Sequence, residues 1–222
     1  LAQMIPDIQD GAISLTRNAN NVSSEIVSST TIHFAESASD AAWFADLSFL
    51  REELWVGTLF RHRRDTRTNC HATATSHEQI VDWLRHLHGL RYADKHENWL
   101  ISPALFNPTL GETSRGTENV ILAWGIWLDV DGGDLRYPQF QRMFPGIRMV
   151  IFNTWSSQDD TRYRVLIPTT GYMLTDTYKA LCQEFVEVVK AKGYCAPRQK
   201  ERGSKKPCHG IDLGKTTAAN MM

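Results

Sequence analysis

Two aspartates stand two residues apart where a long apolar run ends and a pair of glycines begins. Val-Ile-Leu-Ala-Trp-Gly-Ile-Trp-Leu occupies residues 120–128, and Asp129-Val130-Asp131-Gly132-Gly133 follows. If the run is a buried strand, the side chains at 129 and 131 share one face, and the glycines let the backbone turn away at once. Carboxylates held so close repel each other, and a hard divalent cation with oxygen ligands, Mg²⁺ or Mn²⁺, relieves that repulsion. A solvated polar turn is the competing reading. An EF-hand calcium loop is not: counted from Asp129, Asp134 falls where that loop requires glycine and Phe140 falls where it requires glutamate.

A second pair lies downstream. In Arg162-Tyr163-Arg164-Val165 the arginines alternate with apolar residues, so on a strand both guanidinium groups would face one way. Each can bind phosphate oxygens bidentately, which suits a triphosphate beside a cation; solvent-facing arginines on an edge strand are the alternative. Asp212, after Gly210 and Ile211, offers a third acid behind a short apolar entry. Basic residues gather at Arg61, Arg63 and Arg64, and again at Arg198, Lys200, Arg202, Lys205 and Lys206. Such runs serve as solvated faces or as phosphate-tracking patches. Cys195, Cys208 and His209 lie in the second basic loop, and without a paired C-x-x-C they are expected to be unligated, the loop being mobile and cationic. His86 and His88 fall within a helical pattern, where residues two apart point to different faces and do not share a metal.

The elements that would position these groups follow from periodicity. Residues 41–50 carry apolar side chains at helical spacing, and residues 53–60 read as extended. Ser76 and Gln79 form a capping-box pattern before the helical run Ile80 to Leu90. Residues 99–106 are expected to be extended, and 107–119 form a polar loop. The run 120–128 reads as one buried strand or as two joined at Gly125. Residues 137–144 form a short amphipathic segment, and residues 148–154 and 162–168 make a hairpin beside the aspartate strand. Residues 175–192 form an amphipathic helix whose core stripe is Tyr178, Leu181, Cys182, Phe185, Val188 and Val189, with Gly193 as its stop.

With 222 residues, 42% hydrophobic and 22% charged, and a net charge of -1, the chain suits one α/β body in which any nucleic-acid surface is a local patch. Residues 1–31, rich in Ser, Thr and Asn over 13–31, are expected to form a flexible arm or linker, and 32–222 the folded domain, divided into an N-terminal α/β unit (32–118) and a second unit (119–222). The termini suggest an excised domain or fragment. No apolar stretch is long enough to span a bilayer and no signal-like start is present, so an intracellular protein without a membrane partner is expected, in a prokaryote or a virus-infected host cell.

The order Leu-Asp-Val-Asp-Gly, then Asn-Thr-Trp-Ser-Ser with Arg-Tyr-Arg-Val-Leu-Ile-Pro, then Gly-Ile-Asp, resembles the catalytic core of the archaeo-eukaryotic primase superfamily, especially the primase-polymerases of plasmids, viruses and other mobile elements. The resemblance covers roughly residues 119–222. It implies an RRM-like antiparallel sheet bearing the acids, with the N-terminal α/β unit closing the cleft. It further implies that Asp129, Asp131 and Asp212 hold the metal ions and carry catalysis. The family's second motif usually contains a histidine that touches the nucleotide; here Ser157, Arg162 and Arg164 stand nearest to that role. The implied activity is template-dependent transfer of NTPs or dNTPs onto a primer or initiating nucleotide with Mg²⁺ or Mn²⁺, on single-stranded DNA, with a helicase fused or associated beyond residue 222. The two basic clusters would then track template phosphates.

Three other functions fit parts of the pattern. A nucleotide-sugar glycosyltransferase also places Asp-x-Asp after an apolar strand, but does not account for the Arg-Tyr-Arg strand or a third acid. A palm-like nucleotidyl cyclase uses similar acids without a template. In a non-catalytic nucleic-acid-binding module the basic loops would act alone.

Overall fold

The computed structural model describes residues 25–27, 30–34, 54–68, 70–90, 93–108, 110–155, 157, 159–194 and 210–220, the first two segments as backbone. Among the described residues it is a mixed α/β fold of antiparallel sheets and three α-helices. The order is β1 (Glu25–Val27), β2 (Thr30–Phe34), β3 (Leu54–Phe60), β4 (Cys70–Ala74), α1 (His77–Gly89), β5 (Leu100–Ser102), β6 (Ala104–Phe106) and β7 (Val120–Ala123). Then come β8 (Ile126–Asp131), α2 (Tyr137–Met143), β9 (Val150–Asn153), β10 (Arg162–Ile167) and α3 (Thr175–Ala191).

The first half builds a five-stranded sheet in the order β1-β2-β4-β3-β5. Part of the sequence expected to be a linker therefore pairs as strands, with Glu25 opposite Ile32 and Ile32 opposite Ala72. The helix expected over 41–50 lies outside the described residues. Helix α1 starts at the expected cap: the Ser76 hydroxyl accepts the Gln79 N–H at 3.3 Å, while the Gln79 amide oxygen accepts the N–H of Thr75, one residue before the cap, at 2.6 Å.

The apolar run 120–128 is two strands. Gly125 adopts φ 68, a left-handed conformation, and a Cβ there would stand 2.9 Å from the Leu166 side chain. That break sends β7 to pair with β6, while β8 joins a separate three-stranded sheet in the order β8-β10-β9. Within the second sheet the chain order is strand, helix, strand, strand, helix.

Alternation along β8 divides its side chains between two cores. Ile126, Leu128 and Val130 enter one core with Tyr163 and Val165 of β10, Phe140 of α2, and Tyr178, Cys182, Val186 and Val189 of α3. Trp127 and Leu166 enter the other core, with Trp83 of α1 and Val56 and Leu59 of β3. Leu181 and Val188, expected in the core stripe of α3, are exposed instead. At 3.6 residues per turn they sit on the margin of the stripe that Tyr178, Cys182 and Val189 centre, and Val186 completes the buried side.

Residues 210–220 run back across the molecule. Ile211 and Ala218 are buried in the α3 core, the Ser102 hydroxyl donates to the Ala218 carbonyl at 2.6 Å, and the Asp212 N–H donates to the Asp129 carbonyl at 2.8 Å. This segment ties β5 to β8. Among the described residues no helix is long and apolar enough to cross a membrane.

Candidate active site on the β8 and β10 strands

The antiparallel register places Asp129 opposite Arg164 and Asp131 opposite Arg162. Cross-strand partners point to the same face, so two acids and two arginines form a patch that continues the line of Trp127 and Leu166. That line runs from dry to wet. Trp127 is fully buried and Asp129 is 8% exposed, whereas the Asp131 side chain is 58% exposed. On the partner strand the Arg164 and Arg162 side chains are 21% and 43% exposed. The guanidinium Nε of Arg164 lies 3.7 Å from Asp129 Oδ1, and that of Arg162 lies 3.6 Å from Asp131 Oδ1. These are ion-pair separations, too long for hydrogen bonds.

Gly132 ends the strand with φ 91, and its N–H donates to the Thr161 carbonyl at 3.0 Å. A Cβ at this position would lie 3.3 Å from Arg162 Nε, so glycine keeps the arginine in place as well as allowing the turn. Burial pushes the Asp129 carboxyl above the ordinary carboxylate range; Arg164 and Lys215 pull it down, and Asp131 and Asp212 push it up further. The balance is a carboxylate that ionises reluctantly and gains from added positive charge. Burial likewise lowers Arg164 from its usual value, and Asp129 opposes that shift.

Asp212 is brought to the same place by its backbone. Its carboxylate accepts the Gly214 N–H at 2.8 Å and so caps the short turn Leu213–Lys215, which carries Lys215 into the field of Asp129. Among the described residues no group of three or more His, Cys, Asp or Glu side chains is set to hold a metal ion. The Asp129 and Asp131 carboxylates lie on one face of β8. Such a set fits Mg²⁺, which is commonly held by one or two carboxylates, its own waters and substrate phosphates rather than by an all-protein cage.

Ser157 has a different neighbourhood. Its hydroxyl donates to the Arg162 carbonyl, and its oxygen accepts the Thr154 N–H at 2.9 Å. It thereby closes the β9–β10 connection that delivers Arg162.

Arg61, Arg63 and Arg64 are exposed on the loop after β3, and that loop is tied down by a residue that charge counting passed over. Asp65 is buried and accepts the N–H groups of Arg61 and Arg67 at 3.1 and 3.2 Å. It also takes the Arg67 guanidinium at 2.8 and 3.0 Å. Arg115 adds hydrogen bonds to the Asp65 and Arg63 carbonyls at 2.7 and 3.2 Å, and lies 5.5 Å over the Phe60 ring. Burial would raise the Asp65 carboxyl, but the Arg67 side chain and the backbone donors outweigh it and bring it down to about 2. A folded-state value below the ordinary one stabilises above the ordinary value of 3.8, and that contribution disappears as pH falls through about 2. Asp65→Ala is expected to lower stability at pH 7 by about 1–3 kcal/mol, because it removes the acceptor of the Arg61 and Arg67 N–H groups and of the Arg67 guanidinium. Thermal melts of the two proteins should converge as pH falls from 3.8 toward 2; a constant gap would show that packing, not charge, is the cause.

The second basic cluster, Arg198, Lys200, Arg202, Lys205 and Lys206, lies outside the described residues, as do Cys195, Cys208 and His209. His86 and His88 lie in the last turn of α1. Lys215 went without a role in the sequence reading. The signal that finds it is its position three residues after Asp212, within one turn. No family model, curated protein or solved structure matches the chain.

Proposed function

We propose that the chain is a metal-dependent nucleotidyltransferase of the primase-polymerase kind, acting on NTPs or dNTPs with single-stranded DNA as template. The observation that carries this reading is the paired rung of Asp129 with Arg164 and Asp131 with Arg162 on one sheet face. The topology supports it. The strand, helix, strand, strand, helix order, the sheet order β8-β10-β9 and the single hydrogen bond from the Asp212 N–H to the Asp129 carbonyl support reading this sheet as RRM-like, with the Asp212 segment beside β8 where a fourth strand would stand. In this reading the N-terminal sheet with α1 forms the opposite wall.

Asp129 and Asp131 are the residues that would hold Mg²⁺ or Mn²⁺, with Asp212 as the third acid. When bound, such a cation supplies neutralisation of phosphate charge and acidification of the attacking hydroxyl. Arg162 and Arg164 bind the triphosphate of the incoming nucleotide and hold its α-phosphate in line with the attacking 3′-oxygen. Lys215 adds positive charge on the Asp129 side. Arg61, Arg63 and Arg64 contact template phosphates, as do the basic residues between 198 and 206, giving affinity that falls steeply with salt. A helicase fused or associated beyond residue 222 belongs to the same proposal.

The direct test is incubation with single-stranded DNA, labelled NTPs or dNTPs, and Mg²⁺ or Mn²⁺. Products whose sequence follows the template are expected. Template-independent products point to a cyclase-like enzyme, and turnover of a nucleotide sugar to a glycosyltransferase; either one overturns the proposal.

Arg164 gives a narrower prediction. Arg164→Ala is expected to weaken triphosphate binding roughly ten- to a hundredfold, as for loss of a charge-assisted contact, and DNA binding far less. Because Arg164 also offsets Asp129, Arg164→Lys is the companion variant: it keeps the charge but loses the bidentate fork. Equal losses for nucleotide and DNA in both variants would assign Arg164 to the template.

A further inference from the structure

The charged rung does not end in solvent on its inner side. Between the second sheet and α1 with β5 lies a cavity of about 110 Å³, walled by Trp83, Leu87, Trp99, Phe152 and Trp155, with Arg164 as its cationic side chain. Trp83 is buried at the back, whereas Trp155 is 45% exposed. Arg164 therefore both lines this cavity and faces Asp129.

Size narrows the ligand. An apolar cavity of about 150 Å³ takes a benzene ring, so about 110 Å³, lined in part by the half-exposed Trp155, suits one six-membered ring and not a whole nucleoside. Flat aromatic walls favour a flat ring with a π-face. Arg164 favours a phosphate attached to that ring.

We propose that this cavity is a nucleobase subsite. It takes the six-membered ring of one base, stacked on Trp155, with a phosphate of the same nucleotide at Arg164. The inference rests on the reading of the Asp129 and Arg164 rung as a nucleotide site and adds the place where the base is held. The base belongs either to a free nucleotide or to a DNA strand, and binding measurements separate the two.

The test is equilibrium binding without divalent cation, so that no turnover is required. The probes are a pyrimidine triphosphate, inorganic tripolyphosphate, a short oligothymidylate, and the same oligonucleotide with an abasic position. Trp155→Ala should weaken a base-bearing probe by roughly ten- to a hundredfold, Trp155→Phe should restore most of it, and tripolyphosphate should bind unchanged. Leu87→Phe, which narrows the cavity from α1, should weaken the same probe as Trp155→Ala. Loss on the triphosphate assigns the subsite to the free nucleotide; loss on the oligonucleotide alone, matched by the abasic probe with the parent, assigns it to the strand. Equal loss for tripolyphosphate, or no loss for either base-bearing probe, overturns the subsite. Failure of the polymerase reading looks different: Trp155-dependent binding by a parent protein that makes no templated product sinks the activity and keeps the subsite. Templated synthesis with binding indifferent to Trp155 does the opposite.

Discussion

Asp129→Asn is expected to lower template-dependent incorporation by about a thousandfold or more, the scale seen when a central electrostatic group is removed from an active site, while the protein melts no lower than the parent at pH 7. The second half of this expectation follows from linkage. Asp129 is held above its ordinary value of 3.8, so the folded state binds its proton more tightly than the unfolded chain does. Ionisation at neutral pH therefore subtracts from stability, even with Arg164 opposite. Asparagine has the shape of the protonated acid and escapes that penalty. The stability advantage of the variant should vanish as pH falls below the ordinary carboxylate value, where Asp129 is protonated in both states. Incorporation assays and melts across pH check both halves. An active variant removes Asp129 from catalysis, and a variant that melts well below the parent at pH 7 shows that the Arg164 contact outweighs the burial penalty.

A comparable loss of incorporation, on the order of a hundredfold or more, is expected for Asp212→Asn. Its carboxylate already has one structural partner, the Gly214 N–H at 2.8 Å, and the amide oxygen of asparagine can accept that hydrogen bond in its place. Asp212→Asn thus removes charge and keeps the cap, whereas Asp212→Ala removes both and should cost about 1 kcal/mol of stability as well. Equal activities of the two variants, both far below the parent, identify the charge as the working property. An Asn variant with parental activity beside a weakened Ala variant makes Asp212 a cap and nothing more. Because the acids are proposed to act as a unit, Asp212→Asn added to Asp129→Asn should cost little further activity.

The elements that were legible from sequence are those whose signal is local. Ser76 and Gln79 announce the start of α1, and alternation over 162–167 gives β10 its two faces. The apolar run before Asp129 allowed one strand or two, and the answer hinged on a single backbone angle at Gly125 that hydrophobicity does not encode. Helix α3 was legible as a helix but not in its rotation, because Leu181 and Val188 are apolar at margin positions that the neighbouring layers leave uncovered. Of the site, the residues were already singled out, but the Asp129–Arg164 and Asp131–Arg162 pairing needed the register between β8 and β10, strands that are not consecutive in the chain. The Asp212 contact is a long-range main-chain hydrogen bond, which no side-chain pattern announces. Trp83, Trp99 and Trp155 come from three separate segments and form one wall only through tertiary packing. Ser157 was named for its place in a motif, while its hydrogen bonds belong to the turn.

The hydrogen bond from Asp212 to the Asp129 carbonyl has a consequence for how the chain behaves when shortened. In the order β8-β10-β9, β8 is a border strand, and it is made of Ile-Trp-Leu-Asp-Val-Asp. An uncovered border of that composition offers hydrogen-bonding groups to any extended segment, including β8 of another molecule. The Asp212 N–H caps this border at the Asp129 carbonyl, with the buried Ile211 beside it. Truncation before residue 210 would remove that cover, and the shortened chain is expected to self-associate through β8, a change that light scattering would read.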